Sequence, residues 1–263
     1  IPETINIFKF EKFDSILKSK IDLLVLAISS KGIEWVAEQL CKIYKNSQLP
    51  PLLMLTKGLS INKSNYELLV DKLERLLHSK GIKKINISAV GGPCLASGLA
   101  NRVHSGVVIA NKDFATAQTL SKLLMTDYYH VSASSDIIGV EVCAAIKNIF
   151  SMLIGAASGI NETKPKGNLY LNTSAVLVKQ SVYEMEVFTE FLKGKKETVK
   201  GLAGLGDLYV SAAGGRNSKM GTLIGEGIVF SKAKKTKMPN VTVEGADLIF
   251  EIGNKIKEDF DEK

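Results

Sequence analysis

The chain has 263 residues, 45% hydrophobic and 23% charged, with a formal net charge of +7. That length buries a full core, and the balance of apolar and charged residues excludes a disordered chain. Lysine is scattered apart from local runs at Lys193–Lys196 and Lys232–Lys237, and no stretch interleaves basic with aromatic side chains as base stacking requires, so no nucleic-acid partner is expected.

Cys41, Cys94 and Cys143 form no CxxC pair and share no metal-ligand spacing. An odd, sparse set of thiols fits a reducing compartment, so neither a disulfide framework nor a metal is expected. The start of the chain carries no signal peptide.

In chain order, Asp22–Ser29 and Pro51–Thr56 are near-continuous apolar runs, as expected of strands covered on both faces. Ile85–Val90, Gly106–Ala110 and Tyr128–Val131 read as further strands. Between them Gly32–Lys45, Asn65–Ser79 and Phe114–Met125 have helical periodicity, and Asp113 is placed to cap the third. Alternating strands and helices imply a mostly parallel, doubly wound sheet.

After Ser135 the strand pattern stops. Asp136 is placed to cap a long apolar helix, Ile137–Ile160, and Asn168–Leu192 reads as a second long helix preceded by Gly167. Shorter helices are expected over Leu208–Ala213, Lys219–Glu226 and Glu244–Lys257. The expected organisation is therefore an α/β domain over 1–135 and a helical domain over 136–263. Ile137–Ile160 has the length of a membrane span, but Glu141 and Lys147 make a buried core helix the better reading.

Three segments carry chemistry. The first is GVEVCAAIKNIFSMLIGAASG, Gly139 to Gly159. A lysine buried in a helix is penalised in its charged form, so Lys147 either pairs structurally or has a lowered pKa suited to proton exchange. The second is AGLGDLYVSAAGGRN, Ala203 to Asn217. Gly204 and Gly206 permit a tight turn before Asp207, which is placed to cap a short helix. Gly214 and Gly215 then offer backbone N–H groups beside Arg216, a combination that suits a phosphate and is otherwise an ordinary interhelical loop. The third comprises the turns after strands, TKGL (Thr56–Leu59) and GGPCLASG (Gly91–Gly98). These fall where open α/β sheets bind ligands. His78, His104 and His130 show no pairing in sequence and read as structural or surface residues.

AxKN in a long helix, followed by GLGDL and then GGRN, resembles the NAD(P)-dependent glycerol-3-phosphate dehydrogenase family over nearly the whole chain. The resemblance implies a Rossmann-like dinucleotide-binding domain followed by an all-α substrate domain, with the active site between them. It implies NAD or NADP as cofactor, and interconversion of sn-glycerol 3-phosphate with dihydroxyacetone phosphate by hydride transfer at C2. It also implies a homodimer acting on a small phosphate substrate; a cytoplasmic location is expected from the sparse thiols, and no membrane partner is expected given Glu141 and Lys147 within the apolar helix.

Carried over by motif, Lys147 would be the catalytic proton donor and acceptor, with Asp207 hydrogen-bonding in the site and positioning it. Lys57, Gly92, Cys94, Asn148, Asp207, Ser211, Arg216 and Asn217 would contact substrate. Lys57, Ala96, Arg216 and Glu244 would contact cofactor. Cys94 stands where the family usually has a hydroxyl residue. No GxGxxG occurs in the sequence, so the expectation is a Rossmann-like sheet lacking its N-terminal portion, where that motif holds the pyrophosphate. Two other functions fit the same residues: a non-catalytic phosphometabolite-binding protein, and a related dehydrogenase for another hydroxy acid or sugar phosphate.

Overall fold

The computed structural model describes residues 4–162 and 171–261. Its strands are β1 (Leu24–Leu26), β2 (Leu52–Met54), β3 (Leu59–Asn62), β4 (Asn65–Leu68), β5 (Ile87–Gly91), β6 (Ser105–Ala110) and β7 (Tyr129–Ser134). Five of them form one sheet in the order β1-β2-β5-β6-β7. Every pairing in it is parallel except β5 with β6. The reversal follows from the link between those two strands, which carries only the short helix α4 (Ala96–Ala100).

Helices interleave with these strands as α1 (Phe13–Leu17), α2 (Ile33–Tyr44), α3 (Leu69–Ser79) and α5 (Phe114–Leu124). Side chains alternate across the pleat. Leu52 and Met54 enter the large core shared with α2 and α3, whereas Leu53 enters a second core with Val107, Ile109, Ala117 and Leu120. Helices therefore cover both faces, the doubly wound arrangement expected from the sequence. At β1 the expectation of double coverage is not met. Val25 is 44% exposed, and among the described residues β1 pairs only with β2.

No strand follows Ser134 among the described residues. The helices there are α6 (Ile137–Glu162), α7 (Leu171–Phe191), α8 (Lys196–Lys200), α9 (Asp207–Ala212), α10 (Arg216–Gly225), α11 (Phe230–Thr236) and α12 (Glu244–Phe260). The expected start of α7 at 168, and Gly167 before it, lie outside the described residues. Asp113 and Asp136 cap their helices as read: the Ala115 and Thr116 N–H groups donate to Asp113, and the Gly139 N–H donates to Asp136. Ile137–Ile160 has the length and hydropathy of a membrane span, and 72% of its most apolar window is buried within the protein.

Three further expectations need correction. The helix expected over Asn65–Ser79 is a strand up to Leu68 and a helix only from Leu69. Lys63 and Ser64, both at positive φ, close a two-residue turn that folds β4 back onto β3. That turn lacks the glycine that normally signals such a hairpin. The helix expected from Lys219 begins three residues earlier, at Arg216. His104 and His130, distant in sequence, meet across β6 and β7 with ring nitrogens 2.9 Å apart.

Candidate active site

A cleft of about 690 Å³ lies between the ends of β1 and β2 on one side and α6, α10 and α12 on the other. Lys57 stands three residues past the end of β2, where the end of a parallel strand presents its loop to ligands. Lys147 reaches the cleft from the middle of α6 and is only 6% exposed. It donates to Asp207 Oδ1 at 2.6 Å and to Ser211 Oγ at 2.6 Å. Lys57 donates to the other carboxylate oxygen, Asp207 Oδ2, at 2.9 Å. Asp207 and Ser211 stand one turn apart on α9, so both meet Lys147 from the same helix face.

One carboxylate thus serves two ammonium groups and leaves the cluster with an excess positive charge. Burial lowers the Lys147 pKa first, and the neighbouring Lys57 lowers it further; Asp207 opposes both, and the result is about 8. A lysine so placed exchanges a proton near neutral pH, the tuned-pKa condition for general acid–base work.

Asp207 is set by an unusual piece of backbone. Leu202–Gly206 forms a π-helical turn, and a Cβ on Gly204 would lie 2.1 Å from the Val199 carbonyl oxygen. The tight turn expected before Asp207 is therefore this π turn, of the kind that recurs at functional sites. The expected capping role of Asp207 also gives way: both of its carboxylate oxygens are engaged by lysines.

Arg216 and Asn217 open α10, with Gly215 at the N-cap and Gly214 lining the cleft. Asn217 donates to Asn148 Oδ1 at 3.0 Å and accepts from the Gly245 N–H at 2.8 Å, joining α10 to α6 and α12. Arg216 is ion-paired with Glu244 at the start of α12. Below them α6 and α10 touch backbone to backbone. A Cβ on Gly155 would fall 2.1 Å from Ser218 O, one on Gly159 2.0 Å from Thr222 O, and one on Gly221 1.9 Å from Met152 O. That contact fixes Arg216 and Asn217 relative to Lys147 and Asn148.

The structure brings together Lys57, Lys147, Asn148, Asp207, Ser211, Arg216, Asn217 and Glu244 from the sequence reading. Gly92, Cys94 and Ala96 are not among the cleft-lining residues, although Leu95 and Ser97 are. Gly92 has a positive φ of 133°, and a Cβ there would lie 2.9 Å from the Gly106 oxygen, so β6 packing alone accounts for that glycine. The Cys94 thiol is pushed up by burial, with Lys57 near enough to oppose the shift.

The sequence reading missed Ser29, Ser30, Asp247 and Glu251, which also line the cleft. Ser29 and Ser30 follow β1 as Lys57 follows β2, so the same strand-end rule points to them. Asp247 and Glu251 share a face of α12 with Glu244 at helical spacing. No group of three metal-competent side chains occurs among the described residues.

Comparison with known proteins places the chain in one family. Residues 6–117 match the NAD-dependent glycerol-3-phosphate dehydrogenase N-terminus, and residues 136–260 match the C-terminus of the same enzyme. A glycerol-3-phosphate dehydrogenase [NAD(P)+] of Clostridium botulinum is 30% identical over 249 residues, covering 93% of this chain and 70% of that protein. The chain belongs to the NAD-dependent glycerol-3-phosphate dehydrogenase family. An NADP(+)-dependent glycerol-3-phosphate dehydrogenase of Archaeoglobus fulgidus is 29% identical, over 87% of this chain and 66% of its own length. The chain spans about two thirds of the length of these glycerol-3-phosphate dehydrogenases.

The fold is that of solved members. A glycerol-3-phosphate dehydrogenase from Coxiella burnetii aligns with a TM-score of 0.78 at 23% identity, over 94% of this chain and 70% of that one. The enzyme from Saccharomyces cerevisiae aligns at 0.74 and 23%, over 90% and 67%. The Rossmann-like sheet followed by a helical unit is thus the family architecture.

Proposed function

We propose that this chain carries the catalytic half-site of an NAD(P)-dependent glycerol-3-phosphate dehydrogenase, interconverting sn-glycerol 3-phosphate and dihydroxyacetone phosphate. The observation that carries the reading is the buried Lys147–Asp207 pair joined by the half-buried Lys57, with Ser211 on Lys147. An alcohol–ketone interconversion needs one proton donor and acceptor at the substrate oxygen, and Lys147 with a pKa of about 8 is suited to both directions.

The other residues take roles that follow from position. Asp207 orients Lys147 and restrains Lys57, Ser211 offers a hydroxyl beside the reacting oxygen, and Lys57 adds positive charge there. Arg216, Asn217 and the Gly214–Gly215 backbone at the N-terminus of α10 hold the substrate phosphate, with Asn148 positioned by Asn217. Gly92, Cys94 and Ala96 would act from behind the cleft wall, through the Leu95 and Ser97 segment.

The residues present fit the nicotinamide end of NAD or NADP. Leu55 (40% exposed) and Leu95 (56%) stand uncovered at the cleft beside Ile28, an apolar wall for a flat ring, and Lys57, Arg216 and Glu244 supply polar contacts. When bound, the nicotinamide supplies or accepts the hydride at substrate C2. The division into a cofactor-side unit over 1–135 and a helical substrate unit over 136–263 belongs to this reading. So do a cytoplasmic location, to which the free Cys41, Cys94 and Cys143 conform, and a homodimeric state.

The test is NADH oxidation on addition of dihydroxyacetone phosphate. It is run on this chain and on the protein with whatever coding sequence precedes Ile1 included. Turnover that Lys147→Ala abolishes supports the reading. Phosphate-ligand binding without turnover in either form would instead favour a phosphometabolite-binding protein.

A further inference from the structure

Glu141 lies on α6, six positions before Lys147, and is 4% exposed. The proposed chemistry does not use it. Its Oε2 accepts from the Val70 N–H at 3.4 Å, in the first turn of α3, where backbone donors lack partners within the helix. Its Oε1 has no hydrogen-bond partner among the described residues. A buried carboxyl kept in that state is expensive unless it holds something in place.

What it grips is the base of the β3–β4 hairpin. Leu59 pairs with Leu68 at that base, so Gly58 and Leu69 leave the hairpin side by side. A Cβ on Gly58, which has a φ of 149°, would meet Leu69 Cδ1 at 3.2 Å. One leg therefore runs through Leu69 to Val70 and Glu141. The other runs through Gly58 to Lys57 and its 2.9 Å bond with Asp207. Glu141 and Lys147 belong to one helix, so gripping Val70 refers the position of Lys57 to the helix that bears Lys147.

We propose that Glu141 is a positioning residue that sets Lys57 over Asp207 by anchoring the hairpin base to α6. The proposal rests on the reading of Lys57 as a site residue. Burial holds the Glu141 carboxyl well above the usual carboxylate range; the Val70 N–H opposes that shift, Asp71 adds to it and Lys112 opposes it. Glutamine keeps a side-chain oxygen able to accept from the Val70 N–H, and alanine does not.

The experiment is trace acylation of lysines over a range of pH, read by mass spectrometry at Lys57 and Lys147 on this chain. It needs neither cofactor nor turnover. Failure of the dehydrogenase reading, seen as no turnover, is therefore separable from failure of this one. In Glu141→Ala, Lys57 is expected to label severalfold faster, and the Lys147 titration midpoint to move up from about 8 as its cationic neighbour withdraws. Glu141→Gln is expected to keep both wild-type values. In a Lys57→Met background Glu141→Ala is expected to add no further shift at Lys147, because the two changes act on one link.

A Lys147 midpoint unmoved by Glu141→Ala overturns the proposal, even if thermal stability falls. So does a shift that recurs in full in the Lys57→Met background. Should Glu141→Ala fail to fold, Glu141→Asp withdraws the carboxyl by one methylene and is judged by the same two outcomes.

Discussion

Replacing Gly221 by alanine tests the geometry that holds the two halves of the site together. The added Cβ would sit 1.9 Å from the Met152 carbonyl oxygen and 2.9 Å from the Ala156 nitrogen, both backbone atoms of α6 that no rotamer change can move. Reaching ordinary contact requires α6 and α10 to separate by about 1.5 Å. Overpacking of this kind costs about 3 kcal/mol. The helix preference for alanine over glycine returns about 1 kcal/mol. The net loss is about 2 kcal/mol, a fall in Tm of about 4–8 °C for a chain of this size.

Gly253→Ala is the internal control. It lies within α12, where its added carbon meets only Ile249 Cγ2 at 3.6 Å, so the same substitution should gain about 0.5–1 kcal/mol. Paired thermal and urea melts read both. A Gly221→Ala protein melting at or above wild type would mean that the two helices are not in backbone contact, and would remove the argument that this contact sets Arg216 and Asn217 against Lys147.

Four further outcomes follow from the site. In the direction of ketone reduction Lys147 must begin protonated, so the rate should fall as pH rises through about 8, and in alcohol oxidation it should rise through the same value; parallel pH profiles in the two directions would remove Lys147 as the proton carrier. Arg216→Ala should raise KM for the phosphate substrate at least tenfold with a smaller effect on kcat, and an unchanged KM would exclude Arg216 from phosphate binding. The Glu141 carboxyl takes up a proton on folding, so wild-type stability should fall as pH rises above the ordinary glutamate value; Glu141→Gln should flatten that dependence, gaining on wild type by up to about 1.4 kcal/mol per pH unit, and equal slopes in urea melts at pH 5 and 8 would refute it. Asp136→Ala removes acceptors used by the Gly139 and Lys195 N–H groups and by the Thr198 hydroxyl, and should cost about 2–3 kcal/mol in the same melts.

The alternation of apolar runs with helical periodicity was enough to read β2, β5, β6, α2 and α5 and the all-helical second half, because each depends on local patterning. The hairpin was hidden because Lys63 and Ser64 adopt positive φ without the glycine or asparagine that announces such a turn. The π turn was hidden for a related reason: in AGLG the glycines read as freedom to bend, whereas Gly204 is required by the closeness of Val199. Lys147, Asp207 and Arg216 were legible from motif. The resemblance also implied that Asp207 positions Lys147; the sharing of that carboxylate with Lys57 was not legible, since 150 residues separate those two partners. Glu141 was read only as a mark of a buried core helix, because the Val70 N–H that donates to it lies 71 residues away.

The apolarity of α6 bears on Lys147 in a second way. By length and composition alone, Ile137–Ile160 is apolar enough to cross a membrane. Lys147 stands near its centre, where a lysine opposes insertion by about 2.5–3.5 kcal/mol. Glu141 adds a second ionisable group to the same segment. The residue assigned to proton exchange is thus also one that makes this apolar segment a poorer match to a bilayer, and Lys147→Leu would remove that cost together with the ammonium group.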